Sequence, residues 1–171
     1  MEIKPVPFMA HEETVILDKL IKERKIESVL EWGGGGSTIY FPNKHKKIKV
    51  WNTIEHDLGW YYAIKEHKDF NKRVNLFYQP GKKYFILPTK QVYDLIIVDG
   101  RDEGNDRVKC MAIASMLLTK KGVAILHDSG RLKYRKGYKH FTHNLELAPG
   151  VGHGKDGGAD FRGLTMFWNE K

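Results

Sequence analysis

Residues 28–38 read Ser-Val-Leu-Glu-Trp-Gly-Gly-Gly-Gly-Ser-Thr, and this stretch decides the fold. Its first five residues predict a short buried strand, which runs into four glycines and then into a helix opened by Ser37 and Thr38. Glycine after a strand lets the backbone come close to a ligand or to another segment. The first turn of a helix offers unpaired N–H groups and a partial positive charge, which suit a carboxylate or phosphate. The stretch therefore predicts a ligand-binding strand–turn–helix unit, with a simple tight turn as the alternative.

Strands and helices alternate along most of the chain. The apolar patterns predict strands at 28–32, 47–55, 73–78, 93–99 and 123–128, then two more at 142–147 and 163–168. They predict helices at 11–25, 57–70 and 102–119, and one from Gly36 to Phe41 that Pro42 and Asn43 end. This order predicts an α/β fold with a doubly wound, mostly parallel seven-stranded sheet. Helices cover both faces, and the last two strands form an antiparallel hairpin at one edge.

Length and composition suit a single domain over residues 1–171. The chain has 171 residues, of which 41% are hydrophobic, enough for one packed core. Residues 1–10 predict an irregular arm, and the glycine-rich residues 149–160 predict a mobile loop. The lone Cys110 excludes an internal disulfide and a cysteine-based zinc site. No apolar run resembles a membrane span or a signal peptide, so we expect a cytoplasmic protein with no membrane partner.

The net charge of +8 indicates either a solvated basic surface or an anionic partner. Nucleic acid and small phosphorylated or acidic molecules are the candidate partners. The densest basic group comprises Arg131, Lys133, Arg135, Lys136 and Lys139. The sequence contains no appended RNA-binding motif, which favours a small molecule as the partner.

Polar side chains close four of the predicted parallel strands. They are Glu31, Glu55, Asp99 and the pair His127 and Asp128. Ligands of such sheets bind beyond the carboxyl ends of the strands, so these groups should meet at one edge. The glycine run lacks the lysine of a phosphate-binding loop and the third glycine of a dinucleotide fingerprint. An acid after the second strand suits a ribose diol, so the sequence favours an adenosine ligand without a pyrophosphate.

This arrangement resembles the class I S-adenosylmethionine-dependent methyltransferases. The resemblance rests on Glu31-x-Gly33-x-Gly35 after the first strand, Glu55 after the second and Asp99 after the fourth, and it covers residues 29–128. It implies that Glu31 and the glycines hold the methionine end of the cofactor and Glu55 holds the ribose. The full set of implied cofactor residues is Glu31, Gly33, Gly34, Gly35, Ser37, Thr38, Glu55, His56, Tyr78, Gln79 and Asp99. Tyr78 and Gln79 correspond to the adenine contacts, without the acidic residue that the family has there.

Three further segments, 98–101, 107–110 and 126–129, look like small bacterial methyltransferase-like proteins of unassigned substrate. They are also similar to the catechol O-methyltransferase group, which holds Mg²⁺ with an acid after the fourth strand and an Asp-Asn pair after the fifth. The resemblance implies a metal site of Asp99, Asp128 and Ser129, with serine in place of asparagine. A hydroxyl binds a hard cation less well than an amide carbonyl does. The alternative is that both acids accept hydrogen bonds from nearby backbone.

These features predict a methyltransferase directed to the oxygen of a small hydroxyl compound such as a saccharide. Asp99, His127 and Asp128 are the candidate catalytic residues, with the imidazole as a possible base. Arg101 and Arg131 could hold an acidic group of the acceptor, and residues 150–158, with His153 and Asp156, could close over it. The alternatives are an RNA methyltransferase, a non-catalytic S-adenosylmethionine-binding module, an aminopropyl-transferase or a nucleotide-sugar enzyme. The fourth strand is followed by Asp-Gly-Arg-Asp rather than Asn/Asp-Pro-Pro-Tyr/Phe, which disfavours transfer to a nucleobase amine.

Overall fold

A computed structural model describes residues 3–149 and 163–170 of the chain. Its seven strands are β1 Ser28–Trp32, β2 Val50–Glu55, β3 Val74–Tyr78, β4 Tyr93–Val98, β5 Leu118–His127, β6 His143–Ala148 and β7 Leu164–Trp168. Its α-helices are α1 His11–Glu23, α2 Gly36–Lys44, α3 Leu58–Lys65 and α4 Asp106–Leu117. Two 3₁₀ helices cover Gly81–Phe85 and Leu132–His140.

The strands form one sheet in the order β3-β2-β1-β4-β5-β7-β6. Strands β1 to β5 are parallel, whereas β7 pairs antiparallel with both β5 and β6. The predicted fold class is therefore confirmed, including the antiparallel edge. The order reverses between β1 and β4, and this reversal opens a crevice beyond the carboxyl ends of those two strands.

Apolar side chains of the central strands alternate between two cores. In β1, Leu30 and Trp32 pack on one face with Cys110 and Met111 of α4. Val29 points to the opposite face and packs with a second cluster that includes Leu17 of α1. The period of two residues in a strand produces this division, because successive side chains leave opposite faces. The sheet is thus covered on both faces, as expected for a doubly wound fold.

Several element boundaries differ from the prediction, such as the start of β2 at Val50 and the end of α3 at Lys65, and two of the differences have a clear physical cause. Helix α2 continues through Pro42 to Lys44, because proline removes only one N–H, and the Asn43 side chain donates to the Ile39 carbonyl at 2.9 Å. Helix α4 begins at Asp106 and not at residue 102, and the lysines at 120 and 121 belong to β5. Strand pairing explains the second difference, since Leu118 already pairs with Tyr93 before a bulge shifts the register.

Residues 3–10 form neither helix nor strand. The arm crosses the start of α2, where a Cβ on Gly36 would lie 1.9 Å from the Val6 carbonyl oxygen. Beyond this crossing, Ile3 is buried against Ile39 and Ile64. The predicted closing segment 150–158 lies outside the described residues, as does all of 149–160 except Pro149. Within the described part of the chain, no helix is both long and apolar enough to cross a membrane.

Candidate functional site

A cavity of about 570 Å³ lies beyond the carboxyl ends of the parallel strands. Its volume falls in the range of roughly 300–1,000 Å³ that is usual for small-molecule sites. The cavity is lined by the glycine turn after β1, the end of β2, the segment 99–102 after β4 and the end of β5. Strand-end residues that are far apart in sequence therefore meet at one site, as parallel topology predicts.

Gly33 lies at the point where the strand order reverses. Its φ of +92° is a left-handed conformation that favours glycine. A Cβ on Gly33 would lie only 2.2 Å from Cα of Gly100, which follows β4. The first glycine therefore lets the loops after β1 and β4 touch, and this contact forms the floor of the cavity.

Glu55 closes β2 and connects it to the glycine turn. Its Oε2 accepts a hydrogen bond from the Gly34 N–H at 2.7 Å. Its Oε1 accepts from the backbone N–H groups of His56 and Asp57, both at 2.7 Å. The carboxylate also lies 3.0 Å from Nδ1 of His56, and the hydrogen bond between them raises the pKa of that imidazole. Glu55 and His56 both line the cavity, next to Gly33, Gly34 and Gly35.

Glu31 points away from the cavity, into the sheet face below α2, and is fully buried. Its carboxylate accepts four side-chain hydrogen bonds, at 2.5–2.9 Å, from Ser37, Thr38, Trp51 and Thr53. Burial raises the pKa of Glu31, against the lowering effect of those donors. Ser37 lines the cavity, whereas Glu31 and Thr38 do not. In this structure Glu31 fixes the glycine turn by holding the first turn of α2.

Tyr78 and Gln79 close β3 at the edge of the sheet, next to but not among the residues that line the cavity. The Tyr78 ring packs 5.6 Å from the ring of Tyr61 and is partly exposed. The Gln79 N–H donates to the Glu55 carbonyl at 2.8 Å, which continues the β2–β3 ladder.

Asp99, His127 and Asp128 meet on the opposite side of the cavity. Nδ1 of His127 lies 2.7 Å from Oδ1 of Asp99 and 3.9 Å from Oδ1 of Asp128. The other ring nitrogen, Nε2, lies 3.2 Å from Oε2 of Glu13 in the first turn of α1. Burial lowers the pKa of His127, but the neighbouring carboxylates outweigh it and raise the pKa to about 10. The ring is therefore protonated at neutral pH, and in that form it donates to carboxylates and cannot act as a base.

The Arg107 guanidinium lies between Asp99 and Asp128. It is almost fully buried and reaches Oδ2 of Asp128 at 3.3 Å and Oδ1 of Asp99 at 3.6 Å. It also donates to three backbone carbonyls, those of Asp99 at 3.1 Å, Gly100 at 2.9 Å and His127 at 2.8 Å. Arg107 thus joins the ends of β4 and β5 and offsets part of the charge of the two carboxylates.

Ser129 turns away from this group. It lines a separate small pocket and not the main cavity. Its hydroxyl accepts a hydrogen bond from the Thr165 hydroxyl at 2.8 Å in β7. The three groups that lie within 4.8 Å of one another are Asp99, Asp128 and His127. Since Ser129 turns away and the Arg107 guanidinium already lies between the acids, these residues do not fit the two-acid-plus-amide site of the catechol O-methyltransferase group.

The two arginines expected to hold an acceptor are paired with acids. Arg101 contacts Glu103 and Asp106. Arg131 contacts Asp102, and its Nη2 lies 3.3 Å from Oδ2 of Asp128. Both guanidinium groups line the cavity, so an anionic ligand would share them with these carboxylates.

Arg107 was not identified as a site residue from the sequence, and neither were Phe8 and Glu13. Phe8, from the arm, lines the cavity with 87% of its surface exposed. Glu13 is buried, and it also accepts from the N–H groups of Ala10 at 2.8 Å and Gly163 at 2.9 Å. An acid in the first turn of an amphipathic helix is so common that the sequence offers no signal for Glu13.

No protein-family model and no curated protein sequence matches this chain. Solved structures do match. The O-methyltransferase from Bacillus cereus in complex with SAH is 16% identical, with a TM-score of 0.69 over 94% of this chain and 83% of that one. The O-methyltransferase TomG from Streptomyces achromogenes, in complex with SAM, is 13% identical, with a TM-score of 0.68 over 95% and 82%. Cofactor-bound Rv0187 from MTB is 18% identical, with a TM-score of 0.73 over 97% and 84%. The chain therefore has the Rossmann-like fold of these three solved structures.

Proposed function

We propose that this protein is an S-adenosylmethionine-dependent methyltransferase. The observation that supports this most directly is the contact between the glycine turn and Glu55 at the edge of a cavity of suitable size. Glu55 would hold the ribose hydroxyls, and the backbone of Gly33, Gly34 and Gly35 would hold the methionine end. Solved proteins of the same fold bind SAM or SAH, which agrees with this assignment.

Tyr78 and Gln79 would lie near the adenine, as the resemblance implies, and His56, which lines the cavity next to Glu55, would contact the cofactor beside the ribose. The proposed part of Glu31 and Thr38 in cofactor binding is indirect, because their hydrogen bond fixes the turn that the cofactor would contact. Ser37 lines the cavity and would approach the methionine end directly.

The acceptor is proposed to be a small hydroxyl compound, such as a saccharide, bound beside Asp99 and Asp128. The cofactor supplies a methyl group that is already activated on a sulfonium. The chain must place the acceptor oxygen in line with it and remove one proton. The two carboxylates line the cavity and can accept that proton. His127, protonated between Glu13 and Asp99, would orient Asp99 and offset the negative charge that develops on the acceptor oxygen.

An anionic group on the acceptor would lie near Arg101 and Arg131, which line the same cavity. A second candidate is RNA, because the 3₁₀ helix Leu132–His140 follows Arg131 and exposes Arg135, Lys136 and Lys139. We favour the small molecule, since the described residues present no array of exposed aromatic side chains within this basic surface. The cytoplasm remains the expected location.

Thermal unfolding with added ligands tests the proposal. SAM and SAH should stabilise the protein, by about 2.7 kcal/mol at a hundred times the dissociation constant, whereas NAD and ATP should not. Transfer from SAM labelled on the methyl group should then be measured against panels of saccharides and hydroxy acids, with bulk RNA as a separate arm. Stabilisation without transfer to any panel would indicate a non-catalytic binding module, and equal stabilisation by NAD would contradict the proposal.

A further inference from the structure

We propose that the guanidinium groups of Arg107 and Arg131 take the place of a divalent cation between Asp99 and Asp128, so that this site works without a metal ion. The inference rests on the proposed function, because the guanidinium groups can assist catalysis only if the methyl acceptor binds beside these two acids. It departs from the resemblance to the catechol O-methyltransferase group, which implies Mg²⁺ at this position.

The position of Arg107 does not depend on the two carboxylates. Three backbone carbonyls, of Asp99, Gly100 and His127, accept from its N–H groups at 2.8–3.1 Å. Its guanidinium carbon also lies 5.3 Å from the ring centroid of Tyr134. Displacement of Arg107 by a metal ion would therefore remove a buried cation and leave these carbonyls without their donor, so a metal ion could enter only beside it.

The oxygens that a metal would need are already engaged. Oδ1 of Asp99 contacts Nδ1 of His127 at 2.7 Å. Oδ2 of Asp128 contacts both arginines, each at 3.3 Å. Ca²⁺ and Mg²⁺ are coordinated by six or more oxygens, several of them usually from carboxylates or waters in an open site. Here the free oxygens left on the two acids are too few. Ser129, which would supply a third ligand, instead accepts a hydrogen bond from the Thr165 hydroxyl at 2.8 Å.

The permanent charges around the two acids are also matched. Arg107, Arg131 and Lys133 contact Asp99, Asp102 and Asp128. Lys133 belongs to this set through its contact with Asp102 at 2.7 Å. A divalent ion would add two positive charges to acids that already contact cations in a mostly buried place, which is unfavourable without further acids.

The chemical consequence concerns the acceptor oxygen. In a metal site the cation supports the negative charge that develops on this oxygen during transfer. In this chain that support comes from the positive charge of the two guanidinium groups, which line the cavity and are fixed by their hydrogen bonds to the protein. Activity is then independent of added Mg²⁺ and insensitive to chelators.

Manganese binding, followed by the electron paramagnetic resonance signal of free Mn²⁺, tests the claim without an identified acceptor. The unaltered protein should take up no Mn²⁺ at concentrations up to about 1 mM, the weak end of biological cation sites. The Arg131→Met variant should bind Mn²⁺ at least about tenfold more tightly than the unaltered protein. This substitution removes a partly exposed cation and leaves the carbonyl contacts of Arg107 in place. The double variant Arg131→Met, Asp128→Asn should lose this gain.

Lys136→Met is the matched control, because it removes one positive charge on an exposed side chain outside the group. It should leave Mn²⁺ uptake unchanged. Saturable binding below about 1 mM by the unaltered protein, abolished by Asp128→Asn, would overturn the proposal. If a folded Arg131→Met protein still binds no Mn²⁺, the guanidinium charge is not what keeps the metal ion out, and the proposal is overturned. SAH binding is measured in parallel and tests the proposed function separately. If the protein did not bind SAH, the proposed function would be wrong, but the Mn²⁺ measurement would still decide whether the site excludes a metal ion.

Discussion

The N–H of Gly34 donates to Oε2 of Glu55 at 2.7 Å, and this bond joins the glycine turn after β1 to the end of β2. The two residues are 21 positions apart in sequence. Parallel pairing of β1 with β2 brings their carboxyl ends together, so the backbone of one loop meets the carboxylate of the other. A ligand that fills the adjoining cavity can therefore contact both groups at once.

We expect Glu55→Gln to weaken SAH binding by roughly 10- to 100-fold. Hydrogen bonds to a charged group contribute about 1.5–3 kcal/mol, and the glutamine amide cannot accept on both sides. Isothermal titration calorimetry measures the change. Asp57→Asn is the control, because Asp57 caps α3 by accepting from the Trp60 N–H and does not line the cavity. Equal binding by Glu55→Gln and the unaltered protein would contradict the ribose assignment.

Gly33→Ala should lower the free energy of unfolding by at least about 2 kcal/mol, because a side chain at φ +92° is strained and its Cβ meets Gly100. The corresponding fall in melting temperature is about 4–8 °C for a chain of this size. Gly35→Ala is the matched control, since its φ of 177° is ordinary extended backbone and the nearest atom, on Trp60, is 3.8 Å away. Similar melting temperatures for the two variants would argue against the close contact of the loops.

Asp99→Ala and Asp128→Ala should each abolish methyl transfer to the acceptor found in the panels, while SAH binding stays within a few-fold. The expected result follows from their place beside the acceptor, at the far side of the cavity from Glu55. Glu103→Ala changes an exposed acid outside the cavity and should keep full activity. Normal turnover by both aspartate variants would end the proposed roles.

The stability of the protein should depend on the ionisation of Glu13. Burial raises the pKa of this carboxyl, but its hydrogen bonds with His127, Ala10 and Gly163 outweigh burial and lower the pKa to about 2 from 4.5. Its contribution, on the order of 3 kcal/mol, is therefore complete above pH 4.5 and is lost as the pH falls towards 2.

Glu13→Gln should reduce stability at neutral pH and flatten the acid part of the profile, as measured by urea unfolding at several pH values. Glu12→Gln alters the exposed neighbour in the same helical turn and should leave the profile unchanged. If the stability of Glu13→Gln fell as steeply with acid as that of the unaltered protein, the loss of stability at low pH would belong to another group.

Gly36→Ala should displace the N-terminal arm from α2. The added Cβ would lie 1.9 Å from the Val6 carbonyl oxygen and 2.8 Å from that of Lys4, and neither backbone atom can move without the arm. Hydrogen exchange of residues 3–9, followed by mass spectrometry, should accelerate in this variant and not in Gly35→Ala. Unchanged exchange in Gly36→Ala would mean that the arm does not rest on the helix.

The sequence predicted the sheet correctly because its signals are local and repeated. The alternation of apolar strands and amphipathic helices predicts right-handed parallel units whatever the detailed packing. Two of the boundaries that failed, at Pro42 and at residues 118–122, depend on contacts that the local pattern does not contain. At the second boundary, pairing of Leu118 with Tyr93 extends β5 into a stretch whose composition favours a turn.

Strand-end residues such as Glu55, Asp99 and His127 could be assigned to one site from sequence alone, because the carboxyl ends of parallel strands share an edge. The direction of a side chain was harder to predict. Strand alternation places Glu31 on the face of Val29, a signal that could have shown that it points below α2. Ser129 follows the last residue of its strand, where no period applies, and only the packing of β7 determines that it faces Thr165.

The amino-acid sequence by itself determined the fold, the glycine turn and the edge at which polar groups collect, since each follows from local periodicity and strand direction. Only the tertiary structure decided which of those groups are free to meet a ligand. It placed Arg107 and Glu13, from two different helices, against His127 and the acids, and so set the charge of that group. Electrostatic balance depends on distances of a few ångströms between segments that are remote in sequence, and no local pattern records such distances.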